Sequence, residues 1–391
     1  MRRELDWIEI PGEHEARERA WRVVSAAFAT REPVTRTRSW RPLVLVAAGL
    51  TVVAAAFSPP GRAVLDEVRD AVLPAGVQRT EAALFSLPAP GRLLVVSAEQ
   101  GGVWVVRRDG SRRRLGDYED ARWSPFGRFI VATRRNGLYA LTPEGKERWS
   151  LARREVQSPT WGGTRFDTRI AYVARSGLRV VEGDGDGDRL LARGDIGPFA
   201  WQPGSRRQLL HLTTDGLSLL DVDTGRILWR RPFPFHQSLG VSWSADGRRA
   251  LAVSRFEVRV FDARGRRLRR IVFPRSEIVA ASFAPSGHTI GILRREPGTV
   301  TDQTRTSVSV LDVDRSGSAK RIFTGRGDFG ELAWSPNGRF ILVAWRSADR
   351  WLFINRSTRY AIAIDRIESQ FPRPDGRPPL LLVSDRWSAG G

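Results

Sequence analysis

The pattern of apolar and polar positions changes character three times along the chain. Up to residue 41 it is mostly polar. Within that stretch, EHEARERAWRVVSAAFA (13–29) places Ala20, Val23, Val24, Ala27 and Phe28 on one face of a helix, which Glu32–Pro33 ends. Leu43–Phe57 then runs 15 residues without a charge. A bilayer span takes about 17–25 residues. Trp40 as an interfacial anchor and Ser58 at the far edge bring this run to an adequate length, and the predicted transmembrane helix is 42–58. Arg22, Arg31, Arg36, Arg38 and Arg41 flank it on one side, and only Arg62 and Arg69 on the other. That asymmetry puts the N-terminus in the cytoplasm and the remainder outside. A cleaved signal peptide fits less well, because the segment before the run is too long for an n-region. Residues 59–81 read as a linker helix.

From about residue 82 to 391 the chain repeats itself. SLPAPGRLLVVS (86–97), WSPFGRFIVAT (123–133), WGGTRFDTRIAYVA (161–174), WQPGSRRQLLHLT (201–213), WSADGRRALAVS (243–254), FAPSGHTIGIL (283–293) and WSPNGRFILVAW (334–345) align. Their lead aromatics are Phe85, Trp123, Trp161, Trp201, Trp243, Phe283 and Trp334, at spacings of 38, 38, 40, 42, 40 and 51. The long interval holds a polar stretch, 294–306, read as a loop insertion. Each unit continues with a period-two hairpin around a Gly-containing turn, as in GLYALTPEGKERWSL (137–151). A period near 40 with four short strands predicts a β-propeller of seven four-stranded blades. The lead tryptophans are expected to pack between blades. PLLLVSDRW (379–387) is a candidate last strand that pairs with the first blade, the last blade or neither.

WSPFGR, WSADGR and WSPNGR, each followed by an apolar strand and a hairpin, resemble the WD40-like PD40 repeats of TolB-type propellers. The resemblance covers roughly 82–365 and implies architecture rather than function. LLDVDTGRILW (219–229) also looks like the repeat of BamB and quinoprotein propellers. The layout of a short cytoplasmic head (1–41), one span and an extracytoplasmic β domain resembles membrane regulators that sit beside sigma factors in actinobacteria. On that likeness, the 13–29 helix is a docking element for a cytoplasmic partner; a surface or membrane-lying helix is the plainer alternative.

Composition narrows the chemistry. The chain has 391 residues and no cysteine, which excludes disulfides, thiolate zinc sites and cysteine nucleophiles. No G-x-S-x-G elbow is present. His14, His211, His236 and His288 fall in different units without ligand spacing, and no metal or cofactor is expected. EGDGDGDRL (182–190) opens like a calcium loop, with Asp184, Asp186, Asp188 and a distant Asp195. Arg189 stands where that loop needs Gly, so a hairpin turn is the preferred reading.

Lys+Arg total 63 against 43 Asp+Glu, and only Lys146 and Lys320 are lysine. Such a skew fits the codon bias of a GC-rich genome better than a polycation. Residues 1–77 are nearly neutral, so the net +20 belongs almost entirely to the repeats. The tight S-P-x-G-R and D-x-x-G turns share one face of the ring. The opposite face would collect Arg134, Arg135, Arg153, Arg154, Arg175, Arg193, Arg231, Arg275, Arg294, Arg295, Arg326, Arg346 and Arg350. That set is either a solvated face or an anion-attracting rim.

Together these readings describe a non-enzymatic, membrane-anchored propeller that binds a protein or an anionic envelope polymer. A lyase or quinone-dependent oxidoreductase using the channel is the alternative. Nucleic acid is not an expected partner, since the topology opposes it and no stacking-plus-basic motif is present.

Overall fold

The computed structural model describes residues 86–97, 102–296, 304–371 and 381–383. The expectations for 13–29, 42–58 and 59–81, and for Phe85, lie outside these residues. Among the described residues no helix is long and apolar enough to cross a membrane.

The repeats form seven four-stranded antiparallel sheets, one per blade. Blade 2 shows the plan. Its inner strand Asp120–Trp123 is followed outward by Ile130–Arg134, Gly137–Leu141 and Glu147–Ala152. Blades 3 to 7 repeat this order with inner strands Gln157–Gly163, Ile196–Trp201, Ser238–Trp243, Glu277–Phe283 and Phe329–Trp334. Blade 1 departs from it. Its inner strand is Leu381–Val383 from the far end of the chain, paired antiparallel with Leu93–Ser97 through Val96↔Leu382. The candidate last strand therefore joins the first blade, and the two chain ends close the ring.

Seven buried clusters lie between successive blades. A twisted four-stranded sheet has two apolar faces, and only a neighbour on each side covers both. Each lead aromatic from Trp123 to Trp334 ends an inner strand and packs back on the preceding blade. Trp161 meets Val131 and Leu138 of blade 2. Trp201 meets Ala171 and Leu178, Trp243 meets Leu210 and Leu212, Phe283 meets Leu251 and Val253, and Trp334 meets Leu293 and Val308. Trp123 is half-buried against Leu94 and Val96 of blade 1. Two indoles add a hydrogen bond to the preceding blade: Trp201 Nε1 donates to the Thr160 carbonyl at 3.0 Å and Trp334 Nε1 to that of Ser282 at 3.2 Å. At the junction of blades 7 and 1, Phe371 fills the gap, edge-on to Trp104 at 5.5 Å and tilted against Trp351 at 5.6 Å.

The predicted insertion at 294–306 is shorter than the sequence suggests. Thr289–Glu296 and Arg305–Asp312 are both strands, in register to Glu296↔Arg305. Regular pairing carries this hairpin beyond the length of its counterparts.

Much of the positive charge lies on the outer strands. Arg112, Arg113 and Arg114 belong to that of blade 1, Arg230 and Arg231 to blade 4, Arg267, Arg269 and Arg270 to blade 5, and Lys320, Arg321 and Arg326 to blade 6. Each outer strand is an open sheet edge, and charged side chains there oppose edge-to-edge pairing with other molecules.

Two outcomes follow from this packing. Deleting 379–391 removes the inner strand of blade 1, so the urea midpoint should fall well below that of the full chain; an unchanged midpoint would contradict closure by this strand. A Cβ at Gly162 would overlap the Trp201 ring, whereas one at Gly240 meets nothing within 4 Å. Gly162→Ala should cost about 1–3 kcal/mol and Gly240→Ala under about 0.5 kcal/mol, compared by equilibrium unfolding.

Candidate functional site

A groove of about 640 Å³ opens between blades 6 and 7, on the face opposite the tight turns. The long hairpin of blade 6 makes one wall, through Arg295 and Thr304. Arg326 ends the outer strand of that blade. The chain then crosses through Gly327 and Asp328 into blade 7, whose Trp345, Ser347 and Ala348 make the other wall.

Hydrogen bonds fix the floor. The Gly327 amide donates to the Thr304 carbonyl at 2.9 Å, and Thr306 Oγ1 donates to the Gly327 carbonyl at 3.2 Å. The Asp328 amide donates to Ser347 Oγ at 3.0 Å. Gly327 has φ +109°, and a Cβ there would crowd Ser347 and the Trp345 indole nitrogen, so the crossing requires glycine. Trp345 stacks on Phe329, with centroids 5.1 Å apart and planes 14° from parallel. The Arg350 guanidinium lies 5.7 Å from the Trp345 ring centroid. Trp345 Nε1 has no hydrogen-bond partner among the described residues.

The charges are unevenly matched. Arg295 Nη2 donates to Asp328 Oδ1 at 2.6 Å. Arg350 pairs with Asp365 at 2.6 Å. Glu331, a bulge residue of the inner strand with φ +41°, pairs with Arg346. Burial pushes the Glu331 carboxyl above its usual range, against the opposing pull of Arg346. Arg326 is exposed and has no hydrogen bond or ion pair among the described residues. The groove thus presents one free guanidinium, one shared with a carboxylate, two hydroxyls and an aromatic wall. A carboxylate or phosphate suits the guanidinium fork, and a planar apolar group suits the indole.

The predicted arginine rim does not assemble as a whole. Arg295, Arg326, Arg346 and Arg350 lie at this junction, and the others are spread around the ring with partners in their own or the next blade. Arg134 lies 4.6 Å from the Tyr118 ring centroid. Arg153 Nε donates to Asp188 at 2.8 Å. Arg231 Nε donates to the Gly265 carbonyl at 2.6 Å. Arg294 sits 4.4 Å from the Phe273 ring centroid, donates to Ser276 and Ser309, and has its pKa lowered by burial. Arg135, Arg154, Arg175, Arg193 and Arg275 are exposed. Each of these bonded guanidinium groups takes an acceptor of its own or the next blade, and reach alone does not gather them. The sequence reading missed Trp345, Ser347, Thr304 and Asp328. One signal pointed to the first of these: the eleventh residue after the lead aromatic is Arg134, Ser254 and Arg294 in other repeats and Trp345 only here.

The weighed acidic loop is a hairpin turn. The Asp186 amide donates to Asp184 Oδ1 at 3.1 Å. Asp188 turns inward to Tyr172 Oη, at 2.7 Å, and to Arg153 and Arg179. Among the described residues no group of three His, Asp or Glu side chains could hold a metal. His211 is buried with neither ring nitrogen bonded among the described residues, and burial, aided by Arg230, lowers its pKa to about 4.

On the tight-turn face His288 of blade 6 bridges two blades. Its Nε2 lies 3.0 Å from Asp246 of blade 5 and its Nδ1 contacts Asp314, which also accepts from Arg249 at 2.9 Å. Burial lowers the His288 pKa, but the two carboxylates outweigh it and hold it above the usual value.

The chain is similar to many solved propellers. It matches the β-propeller domain of Cps50 (Swd1) from Myceliophteria thermophila at 12% identity and TM-score 0.50, over 65% of this chain and 88% of that one. A candidate 6-phosphogluconolactonase from Bacteroides fragilis matches at 13% and 0.52, over 76% and 99%. Hydrazine synthase of Kuenenia stuttgartiensis matches at 14% and 0.50, over 80% and 94%. At such identities the likeness shows the propeller fold alone. No family model and no curated protein matches the chain.

The His288 bridge sets a pH dependence. A histidine with a raised folded pKa contributes fully below its unfolded value, about 6.5. The contribution is lost as pH rises through the folded pKa. His288→Ala should therefore destabilise more at pH 5.5 than at pH 9, read as the difference in unfolding free energy between variant and parent. An equal difference at both would remove the charged bridge.

Proposed function

We propose that this chain is a membrane-tethered propeller that binds an anionic ligand in the groove between blades 6 and 7. Arg326 carries the reading, because an unpaired guanidinium beside two hydroxyls and an indole has no structural task in the fold. The ligand is a protein carboxylate cluster or an anionic envelope polymer that offers phosphate or carboxylate at intervals.

Binding is favoured over catalysis by the state of the nearby carboxylates. Asp328 is held by Arg295 and Glu331 by Arg346. Neither is free for proton transfer as the groove stands, and general acid–base chemistry needs such a group within reach of the substrate. The tether is the apolar run 42–58 with its arginine-rich N-terminal flank, which places the propeller outside the cell. In this reading the repeats are of the PD40 type, on the strength of their S-P-x-G-R turns, and residues 13–29 carry the signal to a cytoplasmic partner.

The test is calorimetric titration of the purified protein with polyphosphate and with polyglutamate. Saturable binding to at least one is expected. Arg326→Glu should weaken it at least about tenfold, the loss of roughly one charge-assisted hydrogen bond. Arg175→Glu, on the same face but away from the groove, should leave it nearly unchanged. Equal loss in both variants, or no saturable binding of either polymer, contradicts the reading.

A further inference from the structure

The long hairpin of blade 6 carries Arg294 and Arg295 on opposite faces, because adjacent residues of a strand point to opposite sides. Arg295 turns toward blade 7 and pairs with Asp328 in the groove. Arg294 turns toward blade 5. Its guanidinium lies 4.4 Å from the Phe273 ring centroid. It donates through Nη1 to Ser276 Oγ at 3.2 Å and through Nη2 to Ser309 Oγ at 3.4 Å. Ser276 lies in the crossing from blade 5 into blade 6. Ser307 stands across the hairpin from Arg294 in register, so its side chain shares this face.

This cluster offers donors and lacks an acceptor to take them. Ser276, Ser307 and Ser309 are buried, at 5%, 0% and 0% exposure. The oxygens of Ser276 and Ser309 accept from Arg294, and their hydroxyl protons meet no acceptor among the described residues. Ser307 Oγ and Arg294 Nε are buried with no hydrogen-bond partner among the described residues. Buried polar groups are normally paired, so unmet donors that converge from three hydroxyls and a guanidinium point to a missing acceptor.

The charges are unmet in the same way. Arg294 has no ion pair among the described residues. Arg321 of the outer strand stands in register with Ser309, on the same face. It is exposed and has no hydrogen bond or ion pair among the described residues. Burial lowers the pKa of Arg294; the Arg321 charge adds to that effect and Glu296 opposes it. The other acids of this junction are engaged, Glu257 by Arg259 and Arg270 and Glu277 by Arg255. Glu296 forms no ion pair among the described residues, and it stands in register with Arg305, a cation equally without a partner. Three guanidinium groups thus face one free carboxylate.

We propose that the junction of blades 5 and 6 binds a phosphate dianion, free or as a phosphoryl group, between the guanidinium groups of Arg294 and Arg321 and the hydroxyls of Ser276, Ser307 and Ser309. The site uses none of the groove's residues and stands whether or not the groove binds its polymer. Two guanidinium groups match two negative charges. Three hydroxyls supply donors for oxygens beyond the two that one guanidinium fork engages. A carboxylate brings one charge and two oxygens, and it leaves donors unmet. The half-buried Arg294 and the exposed Arg321 form the way in. The buried hydroxyls select a small group, alone or on a narrow stem, over a broad surface.

The test is calorimetric titration of the full-length protein with orthophosphate at pH 8 and constant ionic strength. The protein carries Arg326→Glu as background, which removes the groove's free guanidinium and makes the result independent of the polymer titrations. Saturable binding at a single site is expected, with acetate at least about tenfold weaker. Arg294→Gln and Arg321→Gln should each weaken phosphate binding at least about tenfold, and Ser307→Ala about threefold or more. Arg175→Gln, exposed on blade 3, should leave it unchanged, with circular dichroism confirming the fold of every variant. Phosphate should also raise the urea midpoint of the background protein and not that of its Arg321→Gln variant. Methyl phosphate separates the two sources. Retained affinity assigns the site to a phosphoryl group on a larger molecule, and lost affinity assigns it to the free ion. No saturable binding of either compound, undiminished binding in Arg321→Gln, or equal weakening by Arg175→Gln overturns the proposal.

Discussion

Seven sheets each have two apolar faces to cover, and the ring satisfies all fourteen faces only if the last blade meets the first. Six of the interfaces form between blades consecutive in sequence. The seventh unites parts of the chain nearly 300 residues apart, through the Val96↔Leu382 strand pairing and the cluster around Phe371. Loop-closure entropy grows only slowly with such a separation. The cost is offset by burying Leu93, Val95, Trp104 and Trp351, each at most 4% exposed. Everything that gives the molecule a functional face depends on this closure, since an open array would have no channel mouth and no fixed sides.

The antiparallel meander of each blade gives the two sides different connections. On one side the first turns of blades 2 and 7 are tight, with a serine hydroxyl that accepts from the backbone, Ser124 from Phe129 at 3.0 Å and Ser335 from Phe340 at 2.9 Å. On the other side strand ends and crossings vary in length. The groove arises there because the blade 6 hairpin is longer than its neighbours and blade 7 places Trp345 opposite it. A local departure from the repeat in one connection is how a repeat protein acquires a site without disturbing its packing.

The architecture was legible because its cause is local and repeated. The spacing of Trp123, Trp161, Trp201, Trp243 and Phe283 marks strands that must end against the preceding blade, and the structure puts each one there. The first unit was not legible in the same way. Leu381–Val383 is three residues of a common apolar type, and nothing in its composition states which edge it joins. The basic face was legible as composition but not as a site. Where a guanidinium finds its acceptor depends on strand twist and on the neighbouring blade, as Arg231 with Gly265 and Arg153 with Asp188 show. Trp345 was visible only as a break in the repeat.

The central claim is that the chain ends close a seven-bladed ring, and it can be tested on the bond that closes it. In this cysteine-free chain, Val96→Cys and Leu382→Cys together place two thiols at directly paired backbone positions. Mild oxidation of the purified monomer, followed by mass spectrometry of the peptides, reads whether they join. The account predicts one intramolecular disulfide between 96 and 382, formed in near-complete yield and absent when position 382 is replaced alone. Free thiols, or only intermolecular dimers, would show that the first and last blades do not meet as described.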